Sequence, residues 1–195
     1  MSETLDRTLR VAETVVEALR AEGADAVVIG AVALAVHGYP RSTTDLDLAV
    51  SVRRDVLHRV ADALAAHGYA VSVRDPDAAD PRGGVIDVRS QGADLVHVVN
   101  FDNRPSGGFP RLVDDALAEA LPLTGDGVLK VVDPYHLVAF KLYARGPKST
   151  NDIIELLERN PGLDRARLRA MCKTYRLEGA LDRILRQLAE ETGSG

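Results

Sequence analysis

Residues 28–50 read VIGAVALAVHGYPRSTTDLDLAV. An apolar, β-branched run ends at Gly30, a short Ala-rich stretch with helical character follows and closes at Gly38, and a polar loop then leads into a second apolar run that carries Asp45 and Asp47. Side chains alternate along a strand, so Asp45 and Asp47 project from one face while Leu46 and Leu48 point to the core. Two carboxylates held that close repel each other unless a cation or a proton lies between them. A small set of hard oxygen ligands with room left for water and phosphate oxygens is what Mg²⁺ takes. Upstream, Gly30 and Ala31 form a turn at a helix N-terminus, whose free backbone N–H groups suit phosphate. Arg41 and Thr43 lie in the loop before the carboxylates, placed to touch a nucleotide or a departing pyrophosphate, although Thr43 equally suits stabilisation of the turn. His37, at the end of the short helix, is expected to bond to backbone.

Outward from this stretch the chain alternates helices and strands. Residues 3–22 place Leu5, Leu9, Ala12, Val16 and Leu19 at helical spacing with Val15 beside them, and Gly23 follows as a stop. RDVLHRVADALAAHG is an amphipathic helix with Val56, Leu57, Val60 and Leu64 inward and Gly68 at its end. YAVSVR is a strand, DPDAADPRGG a turn-rich loop, and VIDVRSQGADLVHVVNF a hairpin around Ser90–Gly92. NRPSGGFP is a loop, RLVDDALAEA a short helix, and LPLTGDGVLKVVD holds a further short strand or hairpin. Beyond Asp133 the texture is helical throughout: Asp133 and Pro134 make an N-cap followed by proline in the first turn, STNDIIELLERN is a second helix, and one or two more precede the tail GSG. The expected organisation is a mixed α/β region over residues 1–130, a mixed sheet flanked by helices, and a C-terminal helical bundle over 131–195.

A third carboxylate would complete a site able to hold one or two metal ions. The hairpin offers Asp87 and Asp94, and Asp94 is preferred because it opens an apolar run as Asp45 and Asp47 do. Lys141 and Arg145 are i and i+4 on one helix and would share a face able to clamp a polyphosphate, with Lys148 just beyond in the GPKST connection. Arg165, Arg167, Arg169, Lys173 and Arg176 form a basic stripe that could follow an RNA backbone, although only Tyr175 is interleaved for stacking. Neither His97 nor His136 has partners at metal-ligand spacing in the sequence.

The 46% hydrophobic fraction is mainly aliphatic and there is no Trp, so the core is built from Ala, Val and Leu. A single cysteine, Cys172, excludes an internal disulfide and a Cys-based zinc cage and fits a reducing, cytoplasmic setting. No apolar run reaches the roughly 18–20 residues of a membrane span. The net charge of −5 speaks against nonspecific coating of nucleic acid, but it is unevenly placed: residues 1–128 hold 12 basic and 20 acidic side chains, residues 129–195 hold 12 and 9. An acidic half suited to metal is joined to a basic half suited to phosphate.

GAVALAVHGYPRSTTDLDL resembles the first motif of the nucleotidyltransferase superfamily, and together with DPYHLVAFKLYARGPKSTNDIIELL it looks like the AbiEii/MenT nucleotidyltransferase toxins. The resemblance implies a nucleotidyltransferase fold, with Gly30 and Ala31 as the phosphate turn, Asp45 and Asp47 as ligands of Mg²⁺ (or Mn²⁺), and Asp94 as the third acid and base. It implies that Lys141 contacts the triphosphate of an NTP, with Arg145 and Asp152 beside it. Ala31 replaces the usual second Gly or Ser, which removes a hydroxyl contact and keeps the amide. The implied acceptor is a tRNA 3′ end or a protein side chain, and the implied role is the toxin of a toxin–antitoxin pair with an antitoxin protein as partner. The rival expectations are an aminoglycoside-type small-molecule nucleotidyltransferase and a catalytically silent relative that binds a nucleotide or a partner chain.

Overall fold

The computed structural model describes residues 3–76, 83–102, 111–123 and 127–192. The loops read at 77–82 and 103–110 lie outside these. The chain opens with α1 (Glu3–Ala21), β1 (Val27–Ile29), α2 (Gly30–Val36), β2 (Asp45–Val50), α3 (Arg54–Ala66) and β3 (Ala70–Arg74). It continues through β4 (Val85–Arg89), β5 (Leu95–Asn100), α4 (Leu112–Ala118), β6 (Leu121–Pro122) and β7 (Lys130–Val131). Four helices complete it: α5 (Pro134–Ala144), α6 (Pro147–Arg159), α7 (Arg165–Thr174) and α8 (Glu178–Thr192).

The strands form one mixed sheet in the order β3-β4-β5-β2-β1-β7-β6. β2 runs antiparallel to β1 and parallel to β5, and β7 joins the far side of β1 in parallel. The short hairpin expected near residues 121–133 is β6–β7, and β7 ties the start of the helical segment into the sheet. One apolar core runs from Val11 on α1 to Ile184 on α8.

The faces of the central strands differ in chemistry. Leu46, Leu48 and Val50 of β2, and Val96 and Val98 of β5, are buried on one face with the apolar side of α1. That side of α1 is Thr8, Val11, Ala12, Val15, Val16 and Leu19; Leu5 and Leu9 are only half-buried, so the stripe is rotated from the expected one. In α3 the buried set is Leu57, Val60, Ala61 and Leu64, with Val56 at the margin. The opposite sheet face carries Asp45, Asp47 and His97, all half-buried.

Asn100 locks the end of this arrangement. It is fully buried, and its amide accepts from Val52 N and Asp102 N while donating to Val52 O and Gly83 O, at 2.8–3.1 Å. Four backbone groups at the ends of β2, β4 and β5 therefore find partners on one side chain.

The helical segment begins as its sequence dictates. Asp133 caps α5, accepting from Tyr135 N at 2.9 Å and His136 N at 3.3 Å, and Pro134 takes the first turn. His37 also does what was expected of it, its Nε2 lying 2.6 Å from Val132 O and fastening the end of α2 to the strand that leads into α5.

Candidate functional site

β2 alone sets the first pair, because its alternation puts Asp45 and Asp47 on one face. The neighbouring strand brings the turn: Ile29 is the register partner of Asp47, so the chain reverses into α2 directly against that carboxylate. Gly30 there has φ +70°, and a Cβ on it would lie 2.0 Å from Asp47 Oδ2. Both the conformation and the space demand glycine. Thr43 acts on the other carboxylate: its hydroxyl donates to Asp45 Oδ1 and lies 3.3 Å from Asp45 O. Of the two roles open to Thr43, the turn-stabilising one is formed.

Burial first, and then the adjacent Asp45, push the Asp47 carboxyl above its ordinary range, against the pull of His97, Lys141 and Arg41. Among the described residues no Lys or Arg forms an ion pair with either carboxylate. Two acids aimed at the same space without a bonded cation form a donor set that fits a divalent ion.

Opposite them stands a second charged group. Asp152 of α6 is buried and joins two cations: Lys141 Nζ lies 2.6 Å from its Oδ2, and Arg41 Nε lies 3.2 Å from its Oδ1. Asp152 is thus an anchor that holds Lys141 and Arg41, with each carboxylate oxygen engaged. Lys141, Asp47 and Gly30 line one cleft of about 250 Å³, whose remaining wall is Ser149 and mainly apolar side chains, Val99, Phe101, Phe140 and Tyr143 among them. The Phe101 ring lies 5.0 Å from Phe140 and 5.5 Å from Tyr143. Charged groups and rings on the lining of one cleft suit a ligand with a charged part and a flat apolar part.

The structure separates some of the residues the sequence suggested together. Asp94 does not meet Asp45 and Asp47. It precedes β5, its amide donates to Thr8 Oγ1 on α1 at 2.8 Å, and strand alternation places it with Val96 on the face under α1. The residues beside Asp45 and Asp47 in the parallel register are Leu95 and His97. Asp87 of β4 is the register partner of His97 and lies 2.7 Å from its Nδ1, while His97 Nε2 stands 3.8 Å from Asp45 Oδ2. Burial works to raise Asp87, but hydrogen bonds from His97 and Arg74 hold its carboxyl below the usual range.

Arg145 also departs from the helical clamp, since α5 ends at Ala144 and Arg145 takes φ +58°. Lys148 lies within α6, exposed. The basic stripe disperses: Arg167 pairs with Glu119 and stacks on Tyr135, Arg169 pairs with Asp182, and Arg165 donates to Leu157 O. Arg176 goes elsewhere. With Arg145 and Arg183 it lines a second cleft, of about 590 Å³, which shares Lys141 and Ser149 with the first. Among the described residues no carboxylate pairs with these three arginines.

A further cluster lies at the opposite end of α5. His136, which the sequence left without partners, has ligand atoms within 4.8 Å of Glu119 and Asp133. It is about 8 Å or more along the helix from Lys141, and its members are engaged: Asp133 caps α5 and bonds His136, and Glu119 pairs with Arg167.

Sequence reasoning missed His97, Ser149, Arg183 and the rings of Phe101, Phe140 and Tyr143. The i, i+3 spacing of Phe140 and Tyr143 on the helix that carries Lys141 was an available signal for the rings. No sequence signal marks His97, whose place depends on register.

No family model matches the chain, and no curated protein matches it. Solved structures do resemble it. An antigenic nucleotidyltransferase-like protein from Paracoccidioides brasiliensis superposes with a TM-score of 0.56 at 15% identity, over 96% of this chain and 91% of that one. ANT(2″)-Ia in complex with adenylyl-2″-tobramycin gives 0.51 at 12%, over 87% and 97%. A looser likeness, to terminal uridylyl transferase 4 from Trypanosoma brucei with bound GTP, gives 0.37 at 16%, over 52% of this chain and 32% of that one, and adds nothing to the assignment. The chain has a nucleotidyltransferase fold, with helices on a mixed seven-stranded sheet. Among the described residues no helix is long and apolar enough to cross a membrane.

Proposed function

We propose that the protein is a Mg²⁺-dependent nucleotidyltransferase that moves a nucleoside monophosphate from an NTP to an acceptor hydroxyl. The observation that carries this reading is the meeting, in one cleft, of Asp47 with the Gly30 turn and the Asp152-anchored Lys141, with Asp45 beside Asp47 on the same strand face. Asp45 and Asp47 would hold the ion, which when bound would offset the negative charge of the triphosphate.

The protein's own part is positioning. The turn at Gly30 and Ala31 supplies amides for phosphate oxygens, and Lys141, held by Asp152, presents its ammonium to the triphosphate. Arg41, held by the same anchor, would meet the departing pyrophosphate. Phe101, Phe140 and Tyr143 give the base an apolar wall. The acceptor oxygen attacks the α-phosphorus, the bond to the β-phosphate bridging oxygen breaks, pyrophosphate leaves, and the hydroxyl proton passes to a carboxylate of the site or to water.

The acceptor in this reading is a tRNA 3′ end, and the biological role is that of a toxin restrained by an antitoxin protein in the cytoplasm. The arginine-lined cleft that continues from the nucleotide cleft supports an anionic acceptor. The same arginines oppose a polycationic aminoglycoside, and the likeness to ANT(2″)-Ia is one of fold. A protein hydroxyl and a silent nucleotide-binding relative are the remaining alternatives.

Label transfer tests the proposal. Purified protein is incubated with Mg²⁺, each α-phosphate-labelled NTP in turn, and total tRNA, beside the Asp45→Ala/Asp47→Ala double variant. Label on tRNA that disappears in the variant is the expected result. Label on the protein itself would move the acceptor to a side chain, and no label on either would leave a small-molecule or other protein acceptor, or the silent relative.

A further inference from the structure

Two clefts meet at Lys141 and Ser149. The first, of about 250 Å³, holds Asp47, the Gly30 turn and the rings, and the second, of about 590 Å³, is lined by the arginines. Ligand pockets usually run from roughly 300 to 1,000 Å³, so a nucleoside triphosphate overfills the first cleft and extends past the two residues it shares with the second. Lys141 answers the charge of the phosphates there. Ser149 brings a hydroxyl to the same passage.

The local sequence explains why that hydroxyl stands where it does. Ser149 is in the first turn of α6, three residues before Asp152, so the two share a face, and Asp152 turns that face to Lys141. α6 opens at Gly146 and Pro147 with no side chain capping it, which leaves backbone N–H groups of its first turn for phosphate oxygens. The neighbouring hydroxyls are committed: Thr150 donates back to Gly146 O at 3.3 Å, and Thr43 donates to Asp45. Tyr143 packs its ring on Phe101. Ser149 is half-buried, and among the described residues its Oγ meets no hydrogen-bond partner.

We infer that Ser149 is a site of self-modification: with no external acceptor present, the chain transfers the nucleoside monophosphate to the Oγ of Ser149 and thereby shuts its own cleft. This rests on the nucleotidyl-transfer reading above. The Oγ attacks the α-phosphorus, the bond from that phosphorus to the oxygen bridging to the β-phosphate breaks, pyrophosphate leaves with the electron pair, and the Oγ proton passes to water. The product is a phosphodiester on Ser149, whose negative charge lies beside the Lys141 ammonium and the arginine-lined cleft. Its nucleoside fills a space too small for a second nucleotide. An acceptor seated among the arginines covers Ser149, which lines that cleft too, so the acceptor both takes the nucleotide and protects the chain.

Mass spectrometry of the full chain tests this. The protein is incubated with Mg²⁺ and each NTP in turn, without tRNA, then weighed intact and mapped by peptide fragmentation; tRNA and labelled NTP are added afterwards to measure transfer. The wild type is expected to gain one nucleoside monophosphate, on Ser149, and to lose transfer to tRNA in proportion to the fraction modified. Excess tRNA present from the start should suppress the adduct. Ser149→Ala and the Asp45→Ala/Asp47→Ala double variant should carry no adduct, whereas Ser149→Thr, which keeps a hydroxyl at the same place, should carry it on residue 149.

An adduct on another residue, or one that persists in the double variant, would overturn the assignment of Ser149. Label on tRNA with no adduct on the chain would overturn it too, and would leave the transfer reading intact. Undiminished transfer by fully modified protein would remove the shut-off. Neither adduct nor labelled tRNA with any NTP would overturn the inference together with the tRNA-directed reading.

Discussion

Gly30 and Asp47 compete for one small space. The turn into α2 closes so tightly on the carboxylate that a methyl group at position 30 would overlap it, and φ +70° disfavours any other residue there. Asp47 is held in this position beside Asp45, with its pKa raised by burial and by that neighbour. A carboxyl whose folded pKa is raised contributes stability below its unfolded value of 3.8, and that contribution is lost as the pH rises through the folded pKa. Once ionised, Asp47 therefore opposes folding, and a bound cation relieves it. Asp47→Asn is expected to raise the Tm of protein stripped with EDTA by a few degrees while abolishing nucleotide transfer. Melting curves from pH 4 to 8 would show the gain widening as pH rises, and a lower Tm than wild type across that range would refute the argument.

α5 shows how an element carries chemistry from one end to the other. Asp133 fixes its start and Lys141 projects from its last turn, so the cap sets the register that brings the lysine to Asp152. Asp133→Ala should cost about 1–2 kcal/mol of stability by chemical denaturation and should lower transfer more than it lowers Mg²⁺ affinity, because Asp45 and Asp47 lie on the sheet. The cap, the helix and the same-face pair at Asp45 and Asp47 were legible in the sequence, since each follows from a local rule: a capping residue, a period of 3.6, a period of 2. Asp94 and His97 were not. Whether Asp94 or its neighbour faces the site turns on a one-residue difference in strand parity. His97 comes beside Asp47 only when β2 and β5, about 50 residues apart, align in parallel. The arginine cleft was hidden for the same kind of reason, because Arg145, Arg176 and Arg183 come from three separate stretches of the chain.

Across the whole molecule, charge is sorted by use. Among the described residues many arginines are committed to carboxylates, as Arg20 to Asp25, Arg54 to Asp75, Arg59 to Glu22 and Asp55, and Arg167 to Glu119. Such pairs neutralise surface charge and contribute little each to stability. Arg145, Arg176 and Arg183 instead line one cleft, in a protein whose net charge is −5. Like charges placed together without carboxylates raise the local potential and favour an anion there. If phosphates of an RNA acceptor fill the cleft, Arg176→Glu with Arg183→Glu should weaken tRNA binding by about tenfold or more at moderate salt. Because each lost phosphate contact lowers the salt slope by about one, the log Kd against log salt line should become shallower. Hydrolysis or self-transfer of the NTP, which depends on Asp45, Asp47 and Lys141, should stay near the wild-type rate. Fluorescence anisotropy with labelled tRNA across a salt series separates the two effects: an unchanged affinity and slope would remove RNA from this cleft, while a fall in NTP turnover alone would assign the arginines to the nucleotide.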